Sequence, residues 1–259
     1  MITMNCMGSI GRLGNQMFQY ATLRSLSKKF NYDYHLPPKE FKLSDEDLDL
    51  FDCFTLNGEE RKHSDYYKIE LKTLGFDEDI FNKCPDNVDL WGYFQDVRYF
   101  EDNKEDIKKS FTFKETHFKT AEQYFNSAFE NEEIISLHIR RGDYLNFEHH
   151  PTQSIDYYAK ALRFFNKDLK VLVFTDDPEW AKNQDIFSSE RFFFSTGNNN
   201  AVDLCMQTFC KYHIIANSSF SWWGAWLSDS KRVVKPELWF DGILKDYTNF
   251  LDVNGWINL

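Results

Sequence analysis

Two adjacent arginines, Arg140 and Arg141, follow a short apolar run, Ile-Ile-Ser-Leu-His-Ile, at residues 134–139. The run is too short for a helix and rich in β-branched residues, which predicts a buried strand. Gly142 and Asp143 then form a turn at the carboxyl end of the strand, where doubly wound α/β sheets bind ligands. Because a guanidinium group matches two phosphate oxygens at once, the arginines could hold a diphosphate. An internal ion pair with Asp143 explains the segment equally well.

Two further predicted strands end in polar residues that a hydrophobic core does not require. One is followed by Thr175-Asp176-Asp177-Pro178, and the other by residues Asn217 to Ser221. Asp177 is expected to cap the next helix, whereas Asp176 could accept hydrogen bonds from the edge of a nucleotide base. A metal site is disfavoured, because adjacent side chains on an extended segment point in opposite directions. Since parallel strands end at the same edge of a sheet, the polar segments are expected to form one ligand site.

Serines cluster at the start of a helix that we predict from Trp222 to Leu227. Ser218, Ser219 and Ser221 all lie near the positive end of that helix. One serine is enough to cap a helix, whereas a binding site for phosphate groups would explain several.

A glycine-rich loop, Gly8-Ser9-Ile10-Gly11-Arg12-Leu13-Gly14-Asn15, joins a predicted strand at residues 2–7 to a predicted helix at residues 16–30. Such a loop lets the backbone approach a ligand. The spacing of its glycines does not match the dinucleotide fingerprint, which argues against a nicotinamide-dependent reductase. A tight turn that binds nothing explains the glycines equally well. It does not require Arg12 or Asn15, which are therefore candidate ligand contacts.

The order of the predicted elements indicates an α/β protein. Strands and helices alternate regularly in the second half, which predicts a parallel sheet with right-handed crossovers. Residues 39–72 are interpreted as surface helices and loops, and a boundary after residue 131 divides the chain into domains 1–131 and 132–259. The other predicted elements are strands at residues 32–36, 88–94, 134–139, 170–174, 191–194, 212–216 and 232–235, and helices at residues 97–109, 111–131, 155–165, 178–184, 201–211 and 222–227.

Composition and charge exclude several classes of protein. Of the 259 residues, 42% are hydrophobic and 18% aromatic, which is enough for a packed core and argues against disorder. Against 41 acidic residues there are 30 basic ones, and the net charge of −11 is atypical of a nucleic-acid binder. Five cysteines without a Cys-x-x-Cys pair favour reduced thiols in the cytoplasm. Because neither a leader nor a bilayer-spanning apolar run is recognisable, we expect a soluble protein.

Several of these segments together resemble the bacterial α-1,2-fucosyltransferases. The resemblance covers nearly the whole chain, and part of it extends to α-1,6- and protein O-fucosyltransferases. It implies a fold of the glycosyltransferase B type, with two facing Rossmann-like domains, the second of which binds GDP-fucose without a metal ion. The matching segments are Gly11 to Ala21, Gly92 to Gln95, His138 to Tyr144, Thr175 to Trp180 and Asn217 to Leu227.

The resemblance implies a role for residues of the second domain. Arg140 is expected to contact the β-phosphate of GDP-fucose. The residues expected to bind the rest of the nucleotide are His138 and Asp176 at the guanosine, Arg141 beside Arg140, and Ser218, Ser219, Phe220 and Ser221 at the diphosphate.

In the first domain the resemblance points to the glycine-rich loop. Asn15 is expected to contact the ligand from that side. Arg12 stands where the bacterial α-1,2 enzymes often carry glycine, which leaves the choice of acceptor open. The last segment of the chain could pack back on this domain.

A general base for an inverting transfer has three carboxylate candidates, Glu148, Asp143 and Asp203. Glu148 lies ten positions after His138, which matches a proposed basic glutamate of the α-1,6 relatives. A solvated loop glutamate is the alternative reading of Glu148. Asp143 is interpreted as a brace for an arginine.

The function that the resemblance implies is inverting transfer of L-fucose from GDP-β-L-fucose to the 2-hydroxyl of a terminal β-galactoside. It requires no metal and no cofactor, and its partners are GDP-fucose and a β-galactoside-terminated glycan. Alternatives are a non-catalytic nucleotide-sugar or glycan-binding module of the same fold, or a fucosyltransferase with another acceptor linkage. The expected location is the cytoplasm, with peripheral association at the inner face of the membrane as an option.

Overall fold

The computed structural model of the chain describes residues 1–38, 48–61, 65–72, 74–130 and 132–259. These residues form two compact units, Met1–Lys114 and Glu115–Leu259, each with its own parallel sheet. Residues 39–47 and 62–64, within the segment interpreted as surface helices and loops, lie outside the described residues. The same holds for residue 131, at the predicted domain boundary. None of the helices in the described ranges has the length and apolar character needed to cross a bilayer.

The first unit is built on a parallel sheet with the strand order β4-β2-β1-β6-β5, accompanied by an antiparallel pair, β3 and β7. Between its helices lie 3-10 turns at Val97–Tyr99 and Glu101–Asn103. The strands are β1 Ile2–Thr3, β2 Tyr34–Leu36, β3 Phe54–Thr55, β4 Glu59–Glu60, β5 Tyr67–Glu70, β6 Val88–Trp91 and β7 Thr112–Phe113, and the helices are α1 Leu13–Phe30, α2 Leu50–Cys53, α3 Glu78–Lys83 and α4 Lys104–Ser110.

Helix α1 follows the glycine-rich loop, as predicted, and begins three residues earlier than expected. Gly11 has φ of 73°, which turns the chain from β1 into the helix. The helix ends where Asn31 adopts the left-handed conformation and its N–H bonds back to the last turn. Most of α1 is buried, including polar residues such as Gln16 and Gln19.

The predicted continuous helix at residues 97–109 is wrong. Asp96, which is fully buried, caps a short 3-10 turn by accepting a hydrogen bond from Arg98 N at 3.0 Å. The backbone of Phe100 then leaves the helical region, with φ of −139°. A regular helix starts only at Lys104, because the conformation at position 100 ends the turn that Asp96 caps.

The second unit carries the strand order β10-β9-β8-β11-β12-β13, with all pairs parallel. Numbered within this unit the order is 3-2-1-4-5-6, which is that of the doubly wound Rossmann fold. Further 3-10 turns lie at Asp143–Asn146, Asp185–Phe187 and Gly242–Leu251. The strands are β8 Ile135–Ile139, β9 Val171–Thr175, β10 Phe192–Phe194, β11 Tyr212–Ile214, β12 Arg232–Lys235 and β13 Ile257–Asn258, and the helices are α5 Glu115–Phe129, α6 Ile155–Leu162, α7 Pro178–Lys182, α8 Asn200–Phe209 and α9 Ser219–Leu227.

The core of the second unit explains the apolar runs of its central strands. Leu137 and Ile139 of β8 and Val173 of β9 are buried, as is Tyr158 of α6, which packs against them. Full burial of each such aliphatic side chain stabilises the fold by about 1.5–3 kcal/mol. This packing holds the carboxyl ends of β8 and β9 side by side.

The start of the second unit differs from the predicted domain boundary. The predicted limits of 1–131 and 132–259 place helix α5 in the first domain. In the structure α5 packs on α8, because Phe118 and Phe125 both contact Phe209. The last residues belong to the second unit, where β13 pairs with β12 and Trp222 Nε1 donates to the Leu251 carbonyl at 2.9 Å. The division between compact units therefore falls after Lys114.

Candidate active site

The strand order of the second unit places the predicted ligand segments at its topological switch point. β8 and β11 are neighbours in the sheet. From β8 the strands continue in one direction to β9 and β10, and from β11 they continue in the opposite direction to β12 and β13. Arg140 and Arg141 follow β8, and Asn217 and Ser218 follow the strand beside it. The register pairs Ile139 with Thr175, so Arg140 and Asp176, which follow them, also lie side by side. The three polar segments therefore meet at one edge, as predicted.

Arg140 lies between two carboxylates. Its Nη2 is 2.6 Å from Asp143 Oδ1, and its Nη1 is 2.9 Å from Asp176 Oδ2. The guanidinium group also stands over the Tyr144 ring, 5.4 Å from the centroid. The side chain is 18% exposed, so it remains accessible from solvent. The internal ion pair considered from the sequence is thus present, and Asp143 braces the arginine as interpreted.

Arg141 is held by different partners. Its Nε donates to Asp177 Oδ2 at 3.1 Å, and its guanidinium carbon lies 3.8 Å from the centre of the Trp180 ring. Asp177 also accepts a hydrogen bond from Trp180 N at 3.2 Å, which confirms the predicted helix cap. Arg141 therefore joins the loop after β8 to the start of α7.

Asp176 organises the arginine loop. Besides the contact of Oδ2 with Arg140, its Oδ1 accepts a hydrogen bond from the backbone N–H of Arg141 at 2.9 Å. Gly142 lies against the same carboxylate, because a Cβ added there would come within 2.6 Å of Asp176 Oδ2. Both carboxylate oxygens are engaged within the protein, and the predicted contact with a nucleotide base stays a prediction.

His138 is a neutral, buried imidazole. It precedes Arg140 by two residues on β8 and is 6% exposed. Burial, with a further contribution from the Arg140 charge, lowers the pKa of His138 to about 3. Its Nδ1 is buried and has no hydrogen-bond partner among the described residues. The ring lies 5.7 Å from that of Phe220, so these two predicted ligand residues are brought together.

Helix α9 begins at Ser219, three residues before the predicted start. Ser218 is its N-cap residue and makes no side-chain capping bond. Ser219 and Phe220 are partly exposed, whereas Ser221 is fully buried and donates its hydroxyl to the Ser218 carbonyl at 3.3 Å. The N-terminal turn of the helix thus reaches the site edge through Ser218 to Phe220, and Ser221 supports that turn from inside.

Asn217 clamps the loop before α9, a role that its position in the sequence did not reveal. Its Nδ2 donates to the carbonyls of Pro151 and Trp239 at 2.9 and 3.0 Å, and its Oδ1 accepts from Gln153. The Asn217 carbonyl in turn accepts the Tyr144 hydroxyl at 3.1 Å. Tyr144 therefore connects the arginine loop to the loop that precedes α9.

The candidates for a general base differ in their surroundings. Glu148 is exposed in the loop after the Asp143–Asn146 turn. Asp143 is engaged with Arg140. Burial raises the pKa of Asp203 to about 6, although a hydrogen bond from Ser195 Oγ at 2.6 Å lowers it. Of the three carboxylates, Glu148 is the exposed one, so an acceptor that arrives from solvent can reach it. Asp143 is engaged with Arg140, and Asp203 with Ser195.

Tyr158 was not predicted at the site. Its hydroxyl is fully buried and has no hydrogen-bond partner among the described residues. Burial, followed by the charge of Asp176, raises the pKa of Tyr158, while Arg141 opposes the shift. The hydroxyl is thus within electrostatic range of the arginine loop. A tyrosine on the apolar face of a predicted helix gives no sequence signal for such a position.

Arg12 and Asn15 belong to the first unit. Arg12 is the exposed N-cap residue of α1 and makes no side-chain capping bond. Asn15 is half-buried in the first turn, where its Oδ1 accepts a hydrogen bond from Gln95 Nε2. Their predicted contact with a ligand held by the second unit stays a prediction.

Sequence comparison links the chain to glycosyltransferases. The model of glycosyl transferase family 11 matches residues 1–241. The O-antigen biosynthesis glycosyltransferase WbnK of Escherichia coli is 31% identical over 96% of this chain and 98% of WbnK. An α-1,2-colitosyltransferase of Escherichia coli is 31% identical over 89% of this chain and 90% of its own. Galactoside α-(1,2)-fucosyltransferase 1 of Mus musculus is 25% identical over 86% of this chain and 63% of its own.

Solved structures of fucosyltransferases share the fold. NodZ, an α-1,6-fucosyltransferase from Bradyrhizobium with crystals soaked in GDP-fucose, gives a TM-score of 0.63 at 12% identity, covering 92% of this chain and 95% of NodZ. POFUT1 in complex with GDP gives a TM-score of 0.51 at 11% identity, covering 87% of this chain and 94% of POFUT1. At these identities the likeness shows the fold alone. It confirms the predicted α/β fold of the glycosyltransferase B type.

Proposed function

Because the chain belongs to glycosyl transferase family 11, we propose that it transfers L-fucose from GDP-β-L-fucose to the 2-hydroxyl of a terminal β-galactoside, with inversion. The family resemblance read from the motifs is thereby confirmed, whereas donor, acceptor and linkage are the proposal. Relatives named as α-1,2-transferases support the linkage. A fold neighbour with crystals soaked in GDP-fucose supports the donor.

The observation that carries the proposal is the placement of Arg140 at the switch point, oriented by two carboxylates. In the reaction the acceptor oxygen attacks the anomeric carbon of fucose while the bond to the β-phosphate oxygen breaks. The electron pair of that bond stays on GDP, so negative charge grows there through an oxocarbenium-like transition state. Arg140 and the N-terminal turn of α9 are the groups that would stabilise this charge.

We propose that no metal ion is needed. A guanidinium group and helix N–H groups can supply the counter-charge that a divalent cation supplies in other sites. Turnover is expected to be unchanged after dialysis against EDTA, and loss of turnover that added Mg²⁺ or Mn²⁺ restores would contradict this.

Glu148 is proposed to deprotonate the acceptor hydroxyl, with Asp143 holding Arg140 in place. A proton must leave the attacking oxygen as its bond to the anomeric carbon forms, and a carboxylate in reach of solvent can take it up. The exposure of Glu148 and its position in the loop after Arg140 support this assignment.

The direct test incubates the purified chain with GDP-fucose and a panel of β-galactosides. It measures GDP release and determines the linkage of the product by NMR. Arg140→Lys keeps the charge but loses the planar fork, and its kcat is expected to fall about 100-fold or more, as for loss of other transition-state donors. Arg163→Lys, at an exposed position after α6, is the matched control and should keep wild-type turnover.

Three results would count against the proposal or one of its parts. Wild-type turnover in Arg140→Ala with unchanged melting would remove Arg140 from the chemistry. GDP binding without GDP release for every acceptor would favour the alternative, a binding module of the same fold. Transfer from a colitosyl donor but not from GDP-fucose would favour the second candidate function, which the 31% identity to the colitosyltransferase supports.

A further inference from the structure

Gln95 follows a strained turn at the carboxyl end of β6 in the first unit. Gly92 has φ of 150° and Phe94 has φ of 52°, a left-handed conformation that bulky residues rarely adopt. Such a backbone is strained and persists only where its surroundings hold it. Here the fully buried Phe94 ring packs on Tyr99 at 5.4 Å, and Gln19 Nε2 donates to the Gly92 carbonyl at 2.9 Å. The core therefore enforces this turn.

The turn carries the Gln95 side chain to the start of α1. Gln95 Nε2 donates a hydrogen bond to Asn15 Oδ1. Gly11 lies on another side of Asn15, where an added Cβ would come within 2.5 Å of the Asn15 Cβ. The carboxamide of Asn15 is thus confined by the backbone of the glycine-rich loop and by one side chain from a different segment of the chain.

The polarity of this contact matters because a carboxamide has two ends of nearly equal shape. One end, the oxygen, only accepts hydrogen bonds, and the other, the NH₂ group, only donates them. Donation from Gln95 fixes the oxygen of Asn15 toward β6. Loss of that donor removes a contact that holds this orientation, and a rotation of the Asn15 side chain by half a turn would present the opposite polarity to a ligand.

We propose that Gln95 is a positioning residue, which fixes the carboxamide of Asn15 for hydrogen bonding to an oxygen of the bound substrate. The inference rests on the proposed function, in which Asn15 contacts a substrate. The oxygen belongs either to the sugar nucleotide or to the acceptor glycan, since phosphate and hydroxyl oxygens both accept an N–H hydrogen bond. A misplaced contact group lowers the rate by up to about 100-fold, even when it makes no bond to the reacting atoms.

The kinetic test uses three substitutions. Gln95→Met removes the donor at similar volume and is expected to lower kcat/KM about 10- to 100-fold. Gln95→Glu replaces the donor by an acceptor, which reverses the Asn15 carboxamide, so its loss should exceed that of Gln95→Met. In the Asn15→Ala background Gln95→Met should cause no further loss, because the group that it positions is gone. Gln123→Met, on the exposed side of α5, is the control.

The split between kinetic constants identifies the source of the oxygen. A raised KM for GDP-fucose points to the sugar nucleotide, and a raised KM for the galactoside points to the acceptor. If the losses in kcat/KM caused by Gln95→Met and Asn15→Ala are additive in the double variant, the proposal is overturned. Wild-type kcat/KM in Gln95→Met would also overturn it.

A measurement without turnover separates this proposal from the proposed function. The side-chain NH₂ signal of Asn15 in an amide NMR spectrum is assigned from its disappearance in Asn15→Ala. It should shift in Gln95→Met without any ligand. An unshifted signal would show that Gln95 does not orient Asn15, whatever the activity. Absence of fucose transfer by the wild-type protein together with a shifted signal would reject the fucosyltransferase and leave the Gln95 contact standing.

Discussion

At the scale of single residues, the central feature of the site is one guanidinium group between two carboxylates. The sequence alone gave equal weight to an internal ion pair and to a phosphate ligand at Arg140. The two readings are compatible, because Asp143 and Asp176 orient the arginine while its side chain stays 18% exposed. A charge that is oriented in advance needs little reorganisation when a leaving group becomes negative.

Glu148→Gln tests the assignment of the general base at this scale. A base assists only when it is unprotonated, so turnover in the wild type should fall toward acidic pH. Without the carboxylate, kcat is expected to drop about 100-fold or more, and this acidic limb should disappear. The measurement is kcat as a function of pH at saturating GDP-fucose.

The matched control for this prediction is Glu190→Gln, which changes another exposed glutamate of the second unit. Its profile should coincide with that of the wild type. If Glu148→Gln retains both the rate and the acidic limb, the base lies elsewhere, and Asp203 becomes the next carboxylate to replace.

At the scale of secondary structure, much of the second unit could be predicted from the sequence because its central strands β8 and β9 are buried on both faces. Strand β8 was predicted one residue too long and β12 with its observed limits. In the first unit, β4 and β5 were missed, since both are largely exposed. Glu59–Glu60 has no apolar residue, and Tyr67–Glu70 alternates over only four residues. Exposed edge strands are held by backbone pairing, which leaves little trace in side-chain pattern.

The candidate site was predictable only in part, for a related reason. Residues next to a strand end, such as Arg140 and Asp176, could be assigned to one edge from the order of elements. Their pairing depends on the register of β8 with β9, which a sequence does not specify. Tyr158 reaches its neighbours through the rotation of its helix, and Gln95 does so through a strained turn. Gln95 lies in a segment that carries the family resemblance, but the local sequence of neither residue shows which contacts it makes.

Gly142→Ala tests how tightly the loops after β8 and β9 are fitted together. The added methyl group would lie 2.6 Å from Asp176 Oδ2, so the carboxylate must move away from Arg140. We expect a loss of about 1 kcal/mol in the free energy of unfolding, typical of a hydrogen bond, and a fall in kcat/KM of about tenfold. Urea denaturation and steady-state kinetics measure the two effects.

The control for Gly142→Ala is the same substitution in an Asp176→Ala background. With the carboxylate removed, the methyl group has space, and the substitution should cost no further activity. An undiminished loss in that background would mean that the glycine matters through its backbone and not through Asp176.

At the scale of the whole molecule, the chain is acidic while its proposed donor carries a diphosphate. A net charge of −11 repels such a ligand at long range, so recognition depends on groups in direct contact. Arg140 and the N-terminal turn of helix α9 supply hydrogen-bond donors at the switch point, where Asp143 and Asp176 offset the charge of the arginine. The site must therefore bind a diphosphate through short-range contacts, despite the long-range repulsion from the net charge of the molecule.

Two buried groups of the second unit should shape its response to acid, with opposite signs. The pKa of His138 is lowered to about 3 from an ordinary value near 6.5. Between these two pH values the unfolded chain therefore binds a proton at His138 that the folded protein does not bind. Stability contributed by neutral His138 is thus lost as pH falls toward 3. The pKa of Asp203 is raised to about 6, so between its ordinary value near 3.9 and pH 6 the folded protein holds the extra proton. Its contribution is lost as pH rises through 6.

Replacing each group by a neutral isostere should therefore change the slope of stability against pH in opposite directions. Between pH 4.5 and 5.5, as rough limits of the shared window, one proton corresponds to about 1.4 kcal/mol per pH unit. His138→Gln should flatten the fall in unfolding free energy on acidification by up to that amount, and Asp203→Asn should steepen it. Urea unfolding at a series of pH values, followed by tryptophan fluorescence, gives the slopes. Other titrating groups cancel in the comparison with wild type, so parallel curves for all three proteins would show that neither group titrates as its burial requires.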